Sequence, residues 1–161
     1  MTEMELYLAL GSNLGDREAY IGRALDMLQD HFGRHIRISE MMESESWGFD
    51  APPFLDCVAV YGIDCSDRDI SEYARTVLAI CKDIEHSMGR KDERLYDDQG
   101  KRIYHDRIID IDILFFGSSR VNMPDLVIPH PLIAEREFIL NPLRQVVSDE
   151  ICRTFSDIFN K

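Results

Sequence analysis

Ile109-Asp110-Ile111-Asp112-Ile113-Leu114-Phe115-Phe116 is the most strand-like run of the chain. Branched and aromatic residues fill it. Period-two alternation sends Ile109, Ile111, Ile113 and Phe115 to one face and Asp110 and Asp112 to the other. By the same alternation Leu114 and Phe116 share the aspartates' face, so that face is not simply solvated. Same-side neighbours on a strand lie about 6–7 Å apart, and two carboxylates so placed can converge on metal ions about 3.5–4 Å apart. Hard oxygen donors suit magnesium, which keeps several waters and takes further oxygens from a bound phosphate chain. A strand with one solvated polar face is the plain alternative, but aspartate is a poor strand residue.

Immediately upstream, residues 89–106 are almost wholly polar or charged. A loop of this length in a small domain is a candidate lid or binding segment. Arg90, Lys91, Arg94, Lys101, Arg102 and Arg107 lie in or beside it, and arginine is suited to bidentate contact with phosphate oxygens. Asp92, Glu93, Asp97, Asp98 and Asp106 share the segment. By charge count alone it is a solvated mixed-charge loop, so the case for phosphate binding rests on its position beside the Asp pair.

Further out, the N-terminal residues 5–10 read as a strand. Gly11 to Asp16 reads as a turn, with Asp16 capping a helix whose apolar positions are Ile21, Ala24, Leu25, Leu28 and Phe32. Gly33 supplies the stop. Residues 35–45 and 54–63 read as two strands, and the connector between them carries Trp47 and Phe49 and is too long for a tight turn, which marks it as a candidate binding loop. A second helix starts near Asp69, with Tyr73, Val77, Ile80, Cys81, Ile84 and Met88 as its stripe and Gly89 as its end. After residue 116 come a short hairpin near 120–128, the Pro129-His130-Pro131 corner and short helices. The order strand, helix, strand, strand, helix, strand predicts an α+β, ferredoxin-like βαββαβ fold over residues 1–161 as one domain, with helices on one face of a mainly antiparallel sheet and long catalytic loops.

Composition excludes several classes. The 161 residues are 45% hydrophobic and 30% charged, as in globular proteins. No apolar run approaches the roughly 20 residues of a membrane helix. The N-terminus is acidic where a signal peptide would be basic. Cys57, Cys65, Cys81 and Cys152 form no Cys-x-x-Cys pair and read as free thiols, so a cytoplasmic setting is expected. The net charge of −12 shows no basic stripe, which argues against nucleic acid. An anionic small substrate requires a local Arg/Lys cluster or metal ions. There is no Gly-x-x-x-x-Gly-Lys-Ser/Thr loop and no Gly-x-Ser-x-Gly elbow.

Taken in order, the motifs resemble those of the 6-hydroxymethyl-7,8-dihydropterin pyrophosphokinase family. They are Leu10-Gly11-Ser12-Asn13-Leu14-Gly15, Glu45-Ser46-Trp47-Gly48, Phe54-Leu55-Asp56, Ile84-Glu85, Gly89-Arg90, Arg107 through Leu114, and Ile128-Pro129-His130-Pro131, followed by Arg136 and Phe138. The resemblance implies transfer of the β,γ-diphosphate of ATP to the hydroxymethyl group of the dihydropterin, giving AMP, by a monomer with two magnesium ions on Asp110 and Asp112. It implies Arg90 and Arg107 as catalytic with the Asp pair. Lys82, Glu85, Arg90, Arg107, His130 and Arg136 would contact ATP, with Ile113, Leu126 and Val127 bordering adenine. Ser44, Glu45 and Trp47 would meet the pterin edge, Phe54 and Phe138 would sandwich its ring, and Asp56 would hydrogen-bond it.

The chain departs from the family pattern where Asp56 replaces a pterin-binding asparagine, Asp92 an arginine, Glu45-Ser46 a Pro-Pro and His105-Asp106 a Gly-Pro. Burial of Asp56 would raise its pKa. Two rival readings remain open from sequence: another magnesium-dependent nucleotidyl or phosphoryl transferase, and a ferredoxin-like binding module whose acidic face is only solvated.

Overall fold

The computed structural model describes residues 3–44, 53–65, 68–89, 99 and 108–159, with the backbone of 95–96 and 102–103. The elements are β1 (Glu3–Ser12), α1 (Arg17–Phe32), β2 (Arg37–Ile38), β3 (Met42–Ser44), β4 (Phe54–Asp64), α2 (Ile70–Ser87), β5 (Leu95–Tyr96) and β6 (Arg102–Ile103). They continue with β7 (Asp110–Phe116), β8 (Val121–Met123), β9 (Leu126–Ile128), a 3-10 turn (Ile133–Glu135), α3 (Glu137–Val146), α4 (Asp149–Thr154) and α5 (Ser156–Phe159). The main sheet is antiparallel in the order β2-β4-β1-β7, and β3 also pairs with β4. With β2 and β3 counted as one interrupted strand, this is the ferredoxin-like α+β arrangement.

Both long helices start as the sequence dictates. Asp16 accepts the Ala19 N–H at 3.1 Å and Asp69 accepts the Glu72 N–H at 3.0 Å, each satisfying a donor that the first helical turn leaves free. Gly33, at φ 75°, ends α1 in a conformation that disfavours other residues. The α1 and α2 stripes bury Ile21, Leu28, Val77, Cys81 and Ile84 against Leu6, Leu8, Leu10, Cys57, Ala59 and Tyr61 of the sheet.

Three expectations need revision. The strand expected over 35–45 is two short pieces. The Ser39 hydroxyl accepts the Val58 N–H at 2.8 Å and donates to Glu40 O at 2.9 Å, so a side chain takes a ladder position there and the strand breaks. Helices also pack on the second face. Ile139, Leu140, Leu143, Ile151 and Phe155 from α3, α4 and the residue after it bury Tyr7, Val58, Val60, Leu114 and Phe115. Lastly, Gly11 lies inside β1 rather than in the turn, paired with residues on both sides.

The deciding strand also departs from simple alternation. Tyr7 pairs with Phe115 and Leu8 with Ile113, so Leu114 is an extra residue, a β-bulge. The bulge resets the alternation. Leu114 and Phe115 both enter the second cluster with Tyr7, while Phe116 returns to the first with Ile111 and Ile113. Leu114 therefore shares the aspartates' face as expected, but Phe115 joins it in place of Phe116.

Cys57, Cys65 and Cys81 are buried free thiols and Cys152 is a partly exposed one. Among the described residues no helix is long and apolar enough to cross a membrane.

Candidate active site

Register brings the site together. Gly11 of β1 pairs with Asp56 of β4 on one side and Asp110 of β7 on the other, and Ala9 pairs likewise with Val58 and Asp112. Adjacent strands lie about 4.8 Å apart, and residues two apart share a face. The sheet thus presents Asp56, Asp110 and Asp112 on one face, on either side of a strand with small residues at both positions.

Gly11 has a specific reason to lack a side chain. A Cβ there would come within 2.6 Å of Asp56 Oδ1 and 3.5 Å of Phe54 Cδ1. The carboxyl and the ring of β4 occupy the place a side chain at this position would take, so only glycine lets them lean across the backbone of β1. Ser44 of β3 donates from its hydroxyl to Asp56 Oδ2 at 2.8 Å. Burial pushes the Asp56 carboxyl up to about 7, the Ser44 hydrogen bond opposes this and the charge of Asp110 adds to it. The rise matches the sequence expectation, and the structure adds Asp110 as a neighbour.

The bulge positions His130. Its backbone N–H donates to Leu114 O at 3.0 Å, and its Nδ1 accepts the Leu132 N–H at 3.2 Å. A neutral ring in that arrangement carries its proton on Nε2. Burial holds its pKa below the ordinary value, the charge of Arg136 lowers it further and Asp110 opposes. His130, Arg136 and Asp110 are therefore close enough to feel one another. Arg136 also stands over the Phe138 ring, 5.7 Å from its centre, and Phe138 packs against the second core cluster at the start of α3.

The nucleotide residues suggested by resemblance divide by place. Glu85 is buried on α2, and its Oε2 accepts the N–H of Ile111, the residue between the two aspartates, at 2.8 Å. Lys82 is exposed one helical turn earlier. Ile113 and Leu126 are buried in the first core cluster, on the face opposite the carboxylates, and Val127 is exposed. Ile113 and Leu126 thus do not line the carboxylate face; they lie where β7 meets β9 at the edge of the main sheet. Arg90, Arg107, Glu45 and Trp47 lie outside the described residues.

The donor set fits magnesium. Asp110 and Asp112 provide carboxylate oxygens on one partly exposed face of a strand, and such a pair leaves the remaining positions to water and phosphate oxygens. Sequence reading passed over Arg17, whose side chain ties two elements beside the site together. A cation in a helix's first turn, where the macrodipole favours anions, was the available signal.

The family model described as 7,8-dihydro-6-hydroxymethylpterin-pyrophosphokinase matches residues 7–148. The 2-amino-4-hydroxy-6-hydroxymethyldihydropteridine pyrophosphokinase of Porphyromonas gingivalis is 40% identical over 143 residues, covering 88% of this chain and 89% of that one. The Bacillus subtilis enzyme of the same name is 30% identical over 142 residues, covering 87% and 76%. The mitochondrial folate synthesis bifunctional protein of Arabidopsis thaliana is 34% identical over 151 residues, which are 93% of this chain and 24% of that protein.

Proposed function

This chain belongs to the 7,8-dihydro-6-hydroxymethylpterin-pyrophosphokinase family, and from that premise we propose how its own residues carry the reaction. The activity is ATP-dependent pyrophosphoryl transfer to the hydroxymethyl group of the dihydropterin, a step of folate biosynthesis. The pterin hydroxyl oxygen attacks the β-phosphorus in line and gives up its proton to solvent, the bond from that phosphorus to the α,β-bridging oxygen breaks, and AMP leaves. Such a transfer needs positioning and charge neutralisation more than covalent catalysis.

In our reading Asp110 and Asp112 hold two magnesium ions. The chemistry supplied by bound magnesium is neutralisation of charge on the phosphate oxygens. His130, through Nε2–H, and Arg136 donate to the triphosphate, joined by Arg90 and Arg107. Lys82 stands at the nucleotide side, and Glu85 steadies the strand between the aspartates. The pterin lies beside Gly11, with Asp56 and Ser44 at its hydrogen-bonding edge and Phe54 and Phe138 about its ring. In this reading residues 1–161 act as one pyrophosphokinase domain and as a monomer. The free thiols suit a reducing cytoplasm.

The observation that carries this reading is the register row Asp56, Gly11, Asp110. It sets a polar group able to meet a pterin edge and a metal-type carboxylate on either side of a glycine. Chromatography of nucleotides after incubation with ATP, magnesium and the pterin alcohol tests it. AMP formed only when the pterin is present is the expected result. ADP, or pyrophosphate with no pterin diphosphate, would replace it with another transfer.

A further inference from the structure

Arg17 is the first residue of α1, directly after the cap Asp16. Its guanidinium reaches away from the helix and makes two hydrogen bonds. One nitrogen donates to Pro53 O at 2.9 Å and the other to Glu43 Oε2 at 2.9 Å. Glu43 pairs with Leu55 and Ser44 with Phe54, the last two β3–β4 pairs among the described residues. Arg17 therefore ties Glu43 of β3 to Pro53, the residue before β4, beside the last described pair of that ladder. The residues next to its two acceptors are Ser44 and Phe54. Ser44 holds Asp56 Oδ2, and Phe54 leans over Gly11.

We propose that Arg17 is a positioning residue for the pterin, a fork that fixes the spacing of the Ser44 and Phe54 ends of β3 and β4. This rests on the placement of the pterin beside Gly11 given above. Two features support a role in binding rather than in general stability. The side chains of Arg17 and Glu43 are 27% and 58% exposed, and ion pairs so exposed add little to folding. A planar fork that satisfies two acceptors on different segments also restricts their relative motion, which a flexible ammonium does less well. Shape held in advance lowers the ordering cost of ligand binding.

The test uses Arg17→Ala, Arg17→Lys and Glu43→Gln in the full chain. It measures pterin and ATP-analogue affinities separately by titration, alongside melting temperature and steady-state KM for each substrate. The expected result is a pterin Kd and KM raised at least fivefold in Arg17→Ala and less in Arg17→Lys and Glu43→Gln. The ATP-analogue Kd should stay within twofold and melting should be little changed. Pterin affinity within twofold of wild type in a folded Arg17→Ala protein would overturn the proposal, as would equal weakening of both ligands. If Arg17→Ala does not fold, the same criterion applies to Arg17→Lys and Glu43→Gln. Wild-type protein that binds pterin but releases no AMP would refute the assigned reaction and leave the Arg17 proposal standing. Wild-type protein that binds no pterin would refute both.

Discussion

Strands β4, β1 and β7 carry two very different rows on the same face of one sheet. Val60, Tyr7 and Phe115 are paired across β4, β1 and β7, fully buried, and covered by α3 and the helices after it. Four residues along β1, Asp56, Gly11 and Asp110 are paired in the same way, yet the row is polar and partly open. Backbone pairing is the same in both. What differs is the second helical layer, which buries the apolar row and, among the described residues, does not bury the two aspartates. In this sheet the apolar row anchors the strands, and the polar row uses the positions so fixed.

The most severe way to break the polar row is to remove its carboxylates. Asp110→Ala and Asp112→Ala should each reduce kcat at least a hundredfold, about 2.7 kcal/mol or more. The fold should persist, because neither side chain packs in a core cluster. Steady-state turnover with a melting curve checks both halves of the statement. Activity above about a tenth of wild type in either folded variant would remove that residue from the metal pair.

How much of this was legible in the sequence depends on whether the signal was local. The caps at Asp16 and Asp69, the helix stripes and the Asp110/Asp112 pair are all encoded within a few residues, and the structure reproduces them. The bulge at Leu114 is not local. It arises from matching β7 to β1, and no residue type in β7 announces it, so the face of Phe115 and Phe116 was misjudged. The place of Gly11 inside a strand failed for the same reason. Glycine next to Ser-Asn-Leu-Gly has turn composition, and only the side chains leaning across from β4 explain why it sits in the ladder. Arg90, Arg107, Glu45 and Trp47 lie outside the described residues, and every site role, theirs and those of the described residues, remains a proposal.

Filling the glycine sharpens the contrast between rows. An added methyl in Gly11→Ala meets Asp56 Oδ1, whose partner oxygen is held by Ser44, and the Phe54 ring. Relief means turning the Asp56 carboxyl out of its hydrogen bond, at a cost typical of overpacking, about 1–3 kcal/mol. Pterin affinity should fall roughly tenfold, with ATP-analogue binding unaffected. Gly62→Ala, at the far end of the β1–β4 ladder, serves as the control. There the added methyl meets only the carboxylate end of Glu3, an exposed flexible side chain that can swing away. Titration calorimetry of the two variants separates the cases, and equal effects at both glycines would show that the open site row has no special role.

The subtlest handle on the row is the protonation of Asp56. Its folded-state pKa, about 7, lies above the ordinary 3.8. The folded protein therefore holds a proton that the unfolded chain releases between those values, and the stability tied to that proton is present below about pH 4 and lost as pH rises to about 7. Asp56→Asn lacks this dependence, so its advantage in melting temperature over wild type should grow from pH 4 to pH 7 and then level off. Binding gives the opposite sign. A pterin presents N–H donors at the edge we assign to Asp56, and an ionised carboxylate accepts both while a neutral acid has one oxygen engaged as a donor. The Ser44 hydroxyl, donating to Oδ2, also favours the ionised form and leaves Oδ1 toward Gly11. Wild-type pterin affinity should thus be flat above about pH 8 and fall towards tenfold per unit below 7, about 1.4 kcal/mol per unit, while the Asn variant stays level. Fluorescence titrations of both proteins from pH 5.5 to 8.5 measure this slope. Parallel profiles would mean that Asp56 shapes the pocket without bonding the pterin, whereas wild-type affinity rising below pH 7 would show that the neutral acid is the binding form, taking over the donor-and-acceptor role of an asparagine.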